Sequence, residues 1–237
     1  MHSLATGELI KTFEVSQKTH FYTDGRSNAP VTFSGDEQFL GIVHNGPGRT
    51  TPVTEIYKVE DMQKIKEVEA SPGTIDIAFS PDKRYVAEYS DGLGWFILRE
   101  IAYDTGKKIK VPKFTEKLIF KDDNSAICIT KSKIYLLNCI SGESELVTDS
   151  LLSENVAFAG NKLVFFDRNY TMKVLDISTL KISWSVKSFP RKAKHNKFKH
   201  CVLSPDSKYL ATWNFHYVAL WNMEKKKLIG YLSKKSG

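Results

Sequence analysis

The sequence predicts an all-β fold assembled from one repeated four-stranded antiparallel unit. Three observations lead there: a recurring phrase, a steady spacing between its copies, and short runs in which apolar and polar residues alternate. The phrase is clearest at Leu203-Ser204-Pro205-Asp206-Ser207-Lys208-Tyr209-Leu210-Ala211-Thr212, followed by Val218-Ala219-Leu220-Trp221-Asn222. Phe79-Ser80-Pro81-Asp82-Lys83-Arg84-Tyr85-Val86-Ala87 nearly repeats it, and Phe33-Ser34-Gly35-Asp36-Glu37-Gln38-Phe39-Leu40 is a third copy. The apolar residues ahead of the turns, Phe33, Phe79, Phe120, Phe158 and Leu203, stand 46, 41, 38 and 45 residues apart. A period of about 42 residues filled by four short strands is the repeat of a β-propeller blade.

Each unit is justified in turn by its turns and runs. Pro81 and Pro205 preset φ at the first central turn position, and Asp82 and Asp206 follow where a short polar side chain suits a turn. The third unit turns at Lys121-Asp122-Asp123-Asn124, the fourth at Ala159-Gly160-Asn161. Ile75, Ile77 and Phe79 fall on one face of a strand, as do Tyr85, Ala87 and Tyr89 on the next. Such alternation marks half-buried antiparallel strands. Second turns are expected at Val59-Glu60-Asp61, Tyr103-Asp104-Thr105-Gly106, Ile140-Ser141-Gly142, Ile177-Ser178-Thr179 and Met223-Glu224-Lys225, each followed by an outer strand. Residues 61–70 also carry a short helical pattern (Met62, Ile65, Val68). The strand is preferred because it falls in phase with the other copies.

The expectation is a single propeller domain over residues 1–237, with blades at about 29–69, 70–111, 114–149, 151–188 and 198–233. Residues 1–15 hold an orphan outer strand, Leu4 to Phe13. Because the last blade already has an outer strand, the orphan reads as surplus. The chain is then the C-terminal part of a propeller incomplete at its N-terminus. The other reading is a five- or six-bladed ring with an irregular first blade.

Composition sets the class. The 237 residues are 41% hydrophobic and 12% aromatic, as a folded, sheet-rich protein requires. No apolar run is long enough to span a membrane, and Met1 to Ile10 lacks the features of a secretory signal. The three cysteines, Cys128, Cys139 and Cys201, have no metal-binding spacing. They read as buried, reduced thiols, so a cytoplasmic or nuclear protein is expected and Asn169-Tyr170-Thr171 is a chance sequon.

These repeats resemble the WD-repeat β-propeller family over nearly the whole chain, closely in architecture and loosely in motif. The family blade carries a Gly-His pair, a Ser/Thr, an Asp and a closing Trp-Asp. Only the last unit approaches this: His195 for the His, Thr212 for the hydroxyl, Asn214 at the Asp position and Trp221-Asn222 for Trp-Asp, with Lys194 in place of Gly. The resemblance implies that His195, Thr212, Asn214 and Trp221 brace that blade. Elsewhere the closing pair reads Leu175-Asp176 or Leu137-Asn138, so the blades are expected to rest on packing more than on polar bracing.

Catalytic patterns are missing from the sequence. It contains no Gly-x-Ser-x-Gly, no phosphate-binding loop and no His-Glu-x-x-His. His195 and His200 have no carboxylate near enough to complete a metal site. Asp122-Asp123 sits where the other units turn. No enzyme, cofactor or metal is expected. Charge is uneven. Residues 177–237 carry thirteen Lys/Arg against Asp206 and Glu224, a balance of +11; the whole chain is +7, leaving −4 for residues 1–176. The basic peak joins two blades and presents Lys187, Phe189, Arg191, Lys192, Lys194, Lys197, Phe198 and Lys199 as candidate partner-binding residues on a rim. Such asymmetry suits an acidic partner. The resemblance implies a non-catalytic scaffold docking other proteins within a larger protein or complex. The alternative is an RNA- or ribosome-associated propeller using residues 187–200.

Overall fold

A computed structural model of the chain describes residues 31–45, 51–71, 74–90, 94–103, 105–152, 155–186, 200–214 and 217–233. Among them are twenty strands and no helix, arranged as five four-stranded sheets in chain order. The first sheet is β1 (Val31–Phe33), β2 (Phe39–Asn45), β3 (Pro52–Lys58) and β4 (Lys64–Glu69). The second is β5 (Thr74–Phe79), β6 (Tyr85–Ser90), β7 (Trp95–Glu100) and β8 (Thr105–Lys110). The third is β9 (Thr115–Asp122), β10 (Ser125–Thr130), β11 (Ile134–Asn138) and β12 (Ser144–Thr148). The fourth is β13 (Ala157–Ala159), β14 (Lys162–Phe166), β15 (Met172–Asp176) and β16 (Lys181–Val186). The fifth is β17 (His200–Leu203), β18 (Tyr209–Trp213), β19 (Tyr217–Asn222) and β20 (Lys227–Ser233). The segment with a helical pattern is extended, as β4. Two compact units are present: described residues up to 128 with 137–144, and 129–136 with those from 145 onward.

The recurring Ser-x-Asp phrase builds one repeated hairpin turn. Ser34, Ser80 and Ser204 donate their hydroxyls to Oδ1 of Asp36, Asp82 and Asp206 at 2.7, 2.6 and 2.6 Å. Each serine oxygen in turn accepts the backbone N–H of Phe39, Tyr85 or Tyr209 at 2.9 Å. The residue after each Asp, namely Glu37, Lys83 or Ser207, is left-handed at φ 61°, 62° and 56°. This is the loop that turns and then adds a left-handed residue. Glycine normally fills that last position, and here the Ser–Asp ring compensates a side chain held there. The second turns use another device. Asn138, Asp176 and Asn222, at the ends of β11, β15 and β19, accept backbone N–H groups from Ile140, Thr179 and Lys225.

These turns predict acid sensitivity. A hydrogen bond from Lys83, then one from Ser34, holds the Asp36 carboxyl down at about 2, from an ordinary 3.8. Burial would raise Asp82, but the Ser80 hydroxyl and the Arg84 N–H outweigh it and lower it; Ser204 and the Lys208 N–H lower Asp206. A carboxyl lower in the folded than in the unfolded chain stabilises above its unfolded value and loses that contribution as pH falls through its folded value. Stability is therefore expected to fall from about pH 4 down toward pH 2. Urea midpoints measured across that range should show a shallower fall in Ser80→Ala/Asp82→Asn. An unchanged slope would remove the turns as its cause.

The strands depart from the half-buried expectation. In β6, Val86, Ala87, Glu88 and Tyr89 are all buried; β10 and β14 are also buried on both faces. A strand with sheet packed against each face has no solvent side to alternate toward. In the first unit β2 approaches β5 so closely that a Cβ at Gly41 would lie 2.8 Å from Ile77 Cδ1. In the second, Val164, Phe166, Met172 and Val174 pack with Leu203, Leu210, Ala219 and Trp221. Polar bracing is also more extensive than expected, because Thr54, Glu88 and Arg99 form a buried hydrogen-bonded set that no Trp-Asp motif announces.

Candidate docking cleft

The basic segment Lys187 to Lys199, with Phe189, Arg191, Lys192, Lys194, His195, Lys197 and Phe198, lies outside the described residues. Of the expected bracing residues, Trp221 donates its indole N–H to Thr212 Oγ1 at 3.0 Å, and both are buried. Asn214 Oδ1 accepts the Tyr217 N–H at 3.0 Å, closing the turn between β18 and β19.

The first unit contains a cleft of about 400 Å³, lined by Glu69, Ala70, Ser71, Trp95, Ile97, Arg99 and Lys108. Its walls follow from strand periodicity. Phe96 and Leu98 of β7 point into the core, so Trp95, Ile97 and Arg99 share the opposite face. Lys108 of β8 pairs with Ile97 on that face, and Gly106 pairs with Arg99. A Cβ at Gly106 would approach an Arg99 guanidinium nitrogen to 3.3 Å. The glycine thus leaves room for the arginine.

Arg99 is fixed from two sides. Its Nε donates to Glu88 Oε2 at 3.1 Å and its terminal nitrogen to the Glu69 carbonyl at 2.7 Å. Glu88 is 0% exposed and also accepts the Thr54 hydroxyl at 2.6 Å. The guanidinium charge is therefore compensated inside the sheet, and its position is set before any ligand arrives. Lys108 differs. Its Nζ lies 4.5 Å from the Trp95 ring centre, and no carboxylate among the described residues pairs with it. A cation over an aromatic face is positioned by the ring while its charge stays available. Ser71 Oγ is buried at the cleft without a hydrogen-bond partner, which is uncommon for a buried hydroxyl. The cleft thus offers an aromatic face, an apolar floor and one uncompensated cation, with the Ser71 hydroxyl enclosed beside it.

A second polar cluster lies on the first sheet. His44 Nε2 is 2.9 Å from Glu55 Oε2, Tyr57 donates its hydroxyl to the same oxygen at 2.6 Å, and Lys64 Nζ reaches Oε1 at 3.0 Å. Burial pushes Glu55 up, but the bonds from Tyr57, His44 and Lys64 outweigh it and bring the carboxyl to about 2. Burial and the Glu55 bond push Tyr57 up to about 12. Neither group changes protonation near neutral pH, where a general acid or base must work. Among the described residues, no three His, Cys, Asp or Glu cluster to hold a metal.

Sequence reasoning missed Trp95, Arg99, Lys108 and Glu88. One signal was available: a glutamate in the middle of the apolar run Val86 to Tyr89 needs a cation or donor from a neighbouring strand.

No protein-family model matches the chain, and no curated protein matches it. Solved structures do. Hsv2 of Kluyveromyces marxianus is 16% identical, with a TM-score of 0.66 over 89% of this chain and 64% of that one. Hsv2 of Kluyveromyces lactis with its complete loop 6CD is also 16% identical, with a TM-score of 0.62 over 87% and 63%. A version of that protein with the loop replaced by a Gly-Ser linker is 14% identical, with a TM-score of 0.64 over 87% and 67%. The chain spans about two thirds of the length of these proteins. At such identity the likeness concerns fold alone, and with the five sheets it establishes an all-β fold of four-stranded antiparallel propeller blades.

Proposed function

We propose that this chain is a non-catalytic interaction scaffold of WD-repeat type, built as one propeller domain, that docks other proteins through acidic residues. It works in the cytoplasm or nucleus as part of a larger assembly. The cleft at Trp95 and Lys108 carries the reading: a cation held over an indole, with no carboxylate partner of its own, is suited to an acidic side chain. The fixed position of Arg99 supports it, because a preformed site loses less freedom on binding. The charge balance of residues 177–237 adds long-range attraction for acidic surfaces. The basic segment 187–199 is a second docking candidate within this proposal, and an RNA partner there is the alternative.

Affinity capture with the full chain tests both readings. Trp95→Ala and Lys108→Glu are expected to lose captured proteins while circular dichroism stays unchanged. Lys108 is exposed, so its reversal adds little to stability. If Trp95→Ala and Lys108→Glu keep the captured set while changing Arg191, Lys192 and Lys194 to Glu loses it, the basic segment is the docking site and not the cleft. Capture that disappears with ribonuclease, or binding to single-stranded RNA with a steep log–log salt slope, selects the RNA reading. A captured set indifferent to all these changes overturns the scaffold proposal.

A further inference from the structure

The first unit carries one more feature beyond the walls of the cleft, the turn Pro112-Lys113-Phe114-Thr115 between β8 and β9. We infer that its Phe114 ring is an apolar anchor for an acidic protein segment docked at the cleft, which places an apolar side chain of its own on the ring; this rests on the docking reading above. Phe114 is left-handed at φ 61° and 67% exposed. A bulky residue in that conformation carries a backbone cost that glycine avoids. Among the described residues, the other left-handed residues with large apolar or aromatic side chains offset this cost by burial. Met62 packs with Leu40, Ile42 and Tyr57, and Tyr170 and Leu180 are half-buried. Phe114 has no such offset.

The turn itself does not need the ring. Thr115 donates its hydroxyl to the Pro112 carbonyl at 2.7 Å and its N–H to the same oxygen at 3.3 Å. Between β4 and β5, Thr74 makes the same two bonds to the Ser71 carbonyl, at 2.8 and 3.2 Å. The residue before Thr74 in the sequence is Gly73, whereas the residue before Thr115 is Phe114. Glycine is the residue that a turn with a left-handed third position requires. An aromatic kept there, strained and exposed, breaks the local rule without serving the fold, and such breaks gather at functional surfaces.

Charge identifies the chemistry of the partner. β8 leads from the cleft to this turn, and its Lys108 and Lys110 pair with Ile97 and Trp95. Both lysines therefore lie on the cleft face, about 7 Å apart along the strand. Lys113 follows inside the turn. All three are exposed, and no carboxylate among the described residues pairs with them. Cations in this setting attract carboxylates and repel a second copy of the same surface. An extended segment with acids at alternate positions meets Lys108 and Lys110, and an apolar residue beyond them reaches the Phe114 ring. A covered aromatic of this kind is a common centre of binding energy.

The test uses the full chain and a labelled synthetic peptide of alternating Glu and Ser followed by a Gly-Ser spacer and two leucines, read by fluorescence anisotropy. The same peptide in reverse order is measured beside it, and one of the two is expected to bind. Phe114→Gly and Phe114→Asn should each weaken binding by about tenfold or more, the loss of one anchor. The urea midpoint should hold or rise in both, because glycine and asparagine suit a left-handed residue. A peptide with serines for leucines should bind the native chain as weakly and be indifferent to Phe114→Gly, since both changes remove one contact. If Lys108→Glu leaves binding intact while Phe114→Gly loses it, the cleft reading fails and the anchor stands; the converse overturns the anchor alone. The inference is also overturned if neither peptide binds, or if Phe114→Gly lowers the urea midpoint, for then the ring serves the fold. Phosphatidylserine vesicles that bind the native chain and not Phe114→Gly, with no peptide bound, overturn it in favour of a lipid surface. A dimer in sedimentation that Phe114→Gly dissolves overturns it in favour of a second copy.

Discussion

Arg99→Met is expected to cost ~3–5 kcal/mol, the range for leaving a buried charge without its partner. Glu88 is wholly enclosed, and in the native protein its carboxylate has two partners, Arg99 and Thr54. A hydroxyl alone does not compensate a charge in a low-dielectric interior. The methionine keeps most of the side-chain volume, so lost electrostatics dominates over lost packing. Adding Glu88→Gln to Arg99→Met should recover a large part of the loss, because a neutral amide replaces the stranded carboxylate. Thr54→Val alone should cost only ~0.5–1.5 kcal/mol for one hydrogen bond, or somewhat more for its charged acceptor. Hydrogen exchange of the β6 and β7 amides separates the first unit from the second and is the preferred readout. If Arg99→Met loosens these strands no more than Thr54→Val does, the ion pair is not what holds them. The same variant bears on the cleft, whose shape depends on where the guanidinium lies.

The fold was legible because its signal repeats. The Ser-x-Asp phrase specifies a hairpin at Ser34, Ser80 and Ser204, and one copy explains the next. Less obvious units were legible through phase: Asp122-Asp123 and Gly160-Asn161 turn where the stronger copies turn. The helical pattern at Met62, Ile65 and Val68 yielded to β4 for the same reason. Burial was less legible. Alternation in β6 suggested one wet face, yet Glu88 is enclosed as fully as its apolar neighbours, because the sheets pack on both sides of that strand. The cleft could not be read at all. Its members come from the end of β4 and the two residues after it, and from β7 and β8, and their meeting depends on the pairing of Ile97 with Lys108 and of Arg99 with Gly106. Register of that kind is set by turns and packing together, and no local motif records it.

Trp221→Ala should destabilise the second unit by ~3–5 kcal/mol, the usual range for deleting a large buried aromatic. Trp221 belongs to the core formed with Leu203, Leu210, Ala219 and the residues of β14 and β15. Its ring meets Trp184 edge-on, with centroids 6.1 Å apart at 71°, a geometry that adds to simple burial. The indole N–H also donates to Thr212, which is enclosed. Two controls divide the effect. Trp221→Phe keeps much of the ring and removes the donor, so it should cost less than the alanine change, with part of the loss being the ~0.5–1.5 kcal/mol of one hydrogen bond. Thr212→Val removes the acceptor, and the Trp221→Phe/Thr212→Val double variant should lose less than the sum of the two single changes, because both report the same bond. Urea unfolding followed by hydrogen exchange in β14 and β18 measures this unit directly. If the phenylalanine variant is as damaging as the alanine one, the hydrogen bond and not the packing dominates. The bracing role that the sequence resemblance suggested for Trp221 and Thr212 would then be the larger part of what holds this blade.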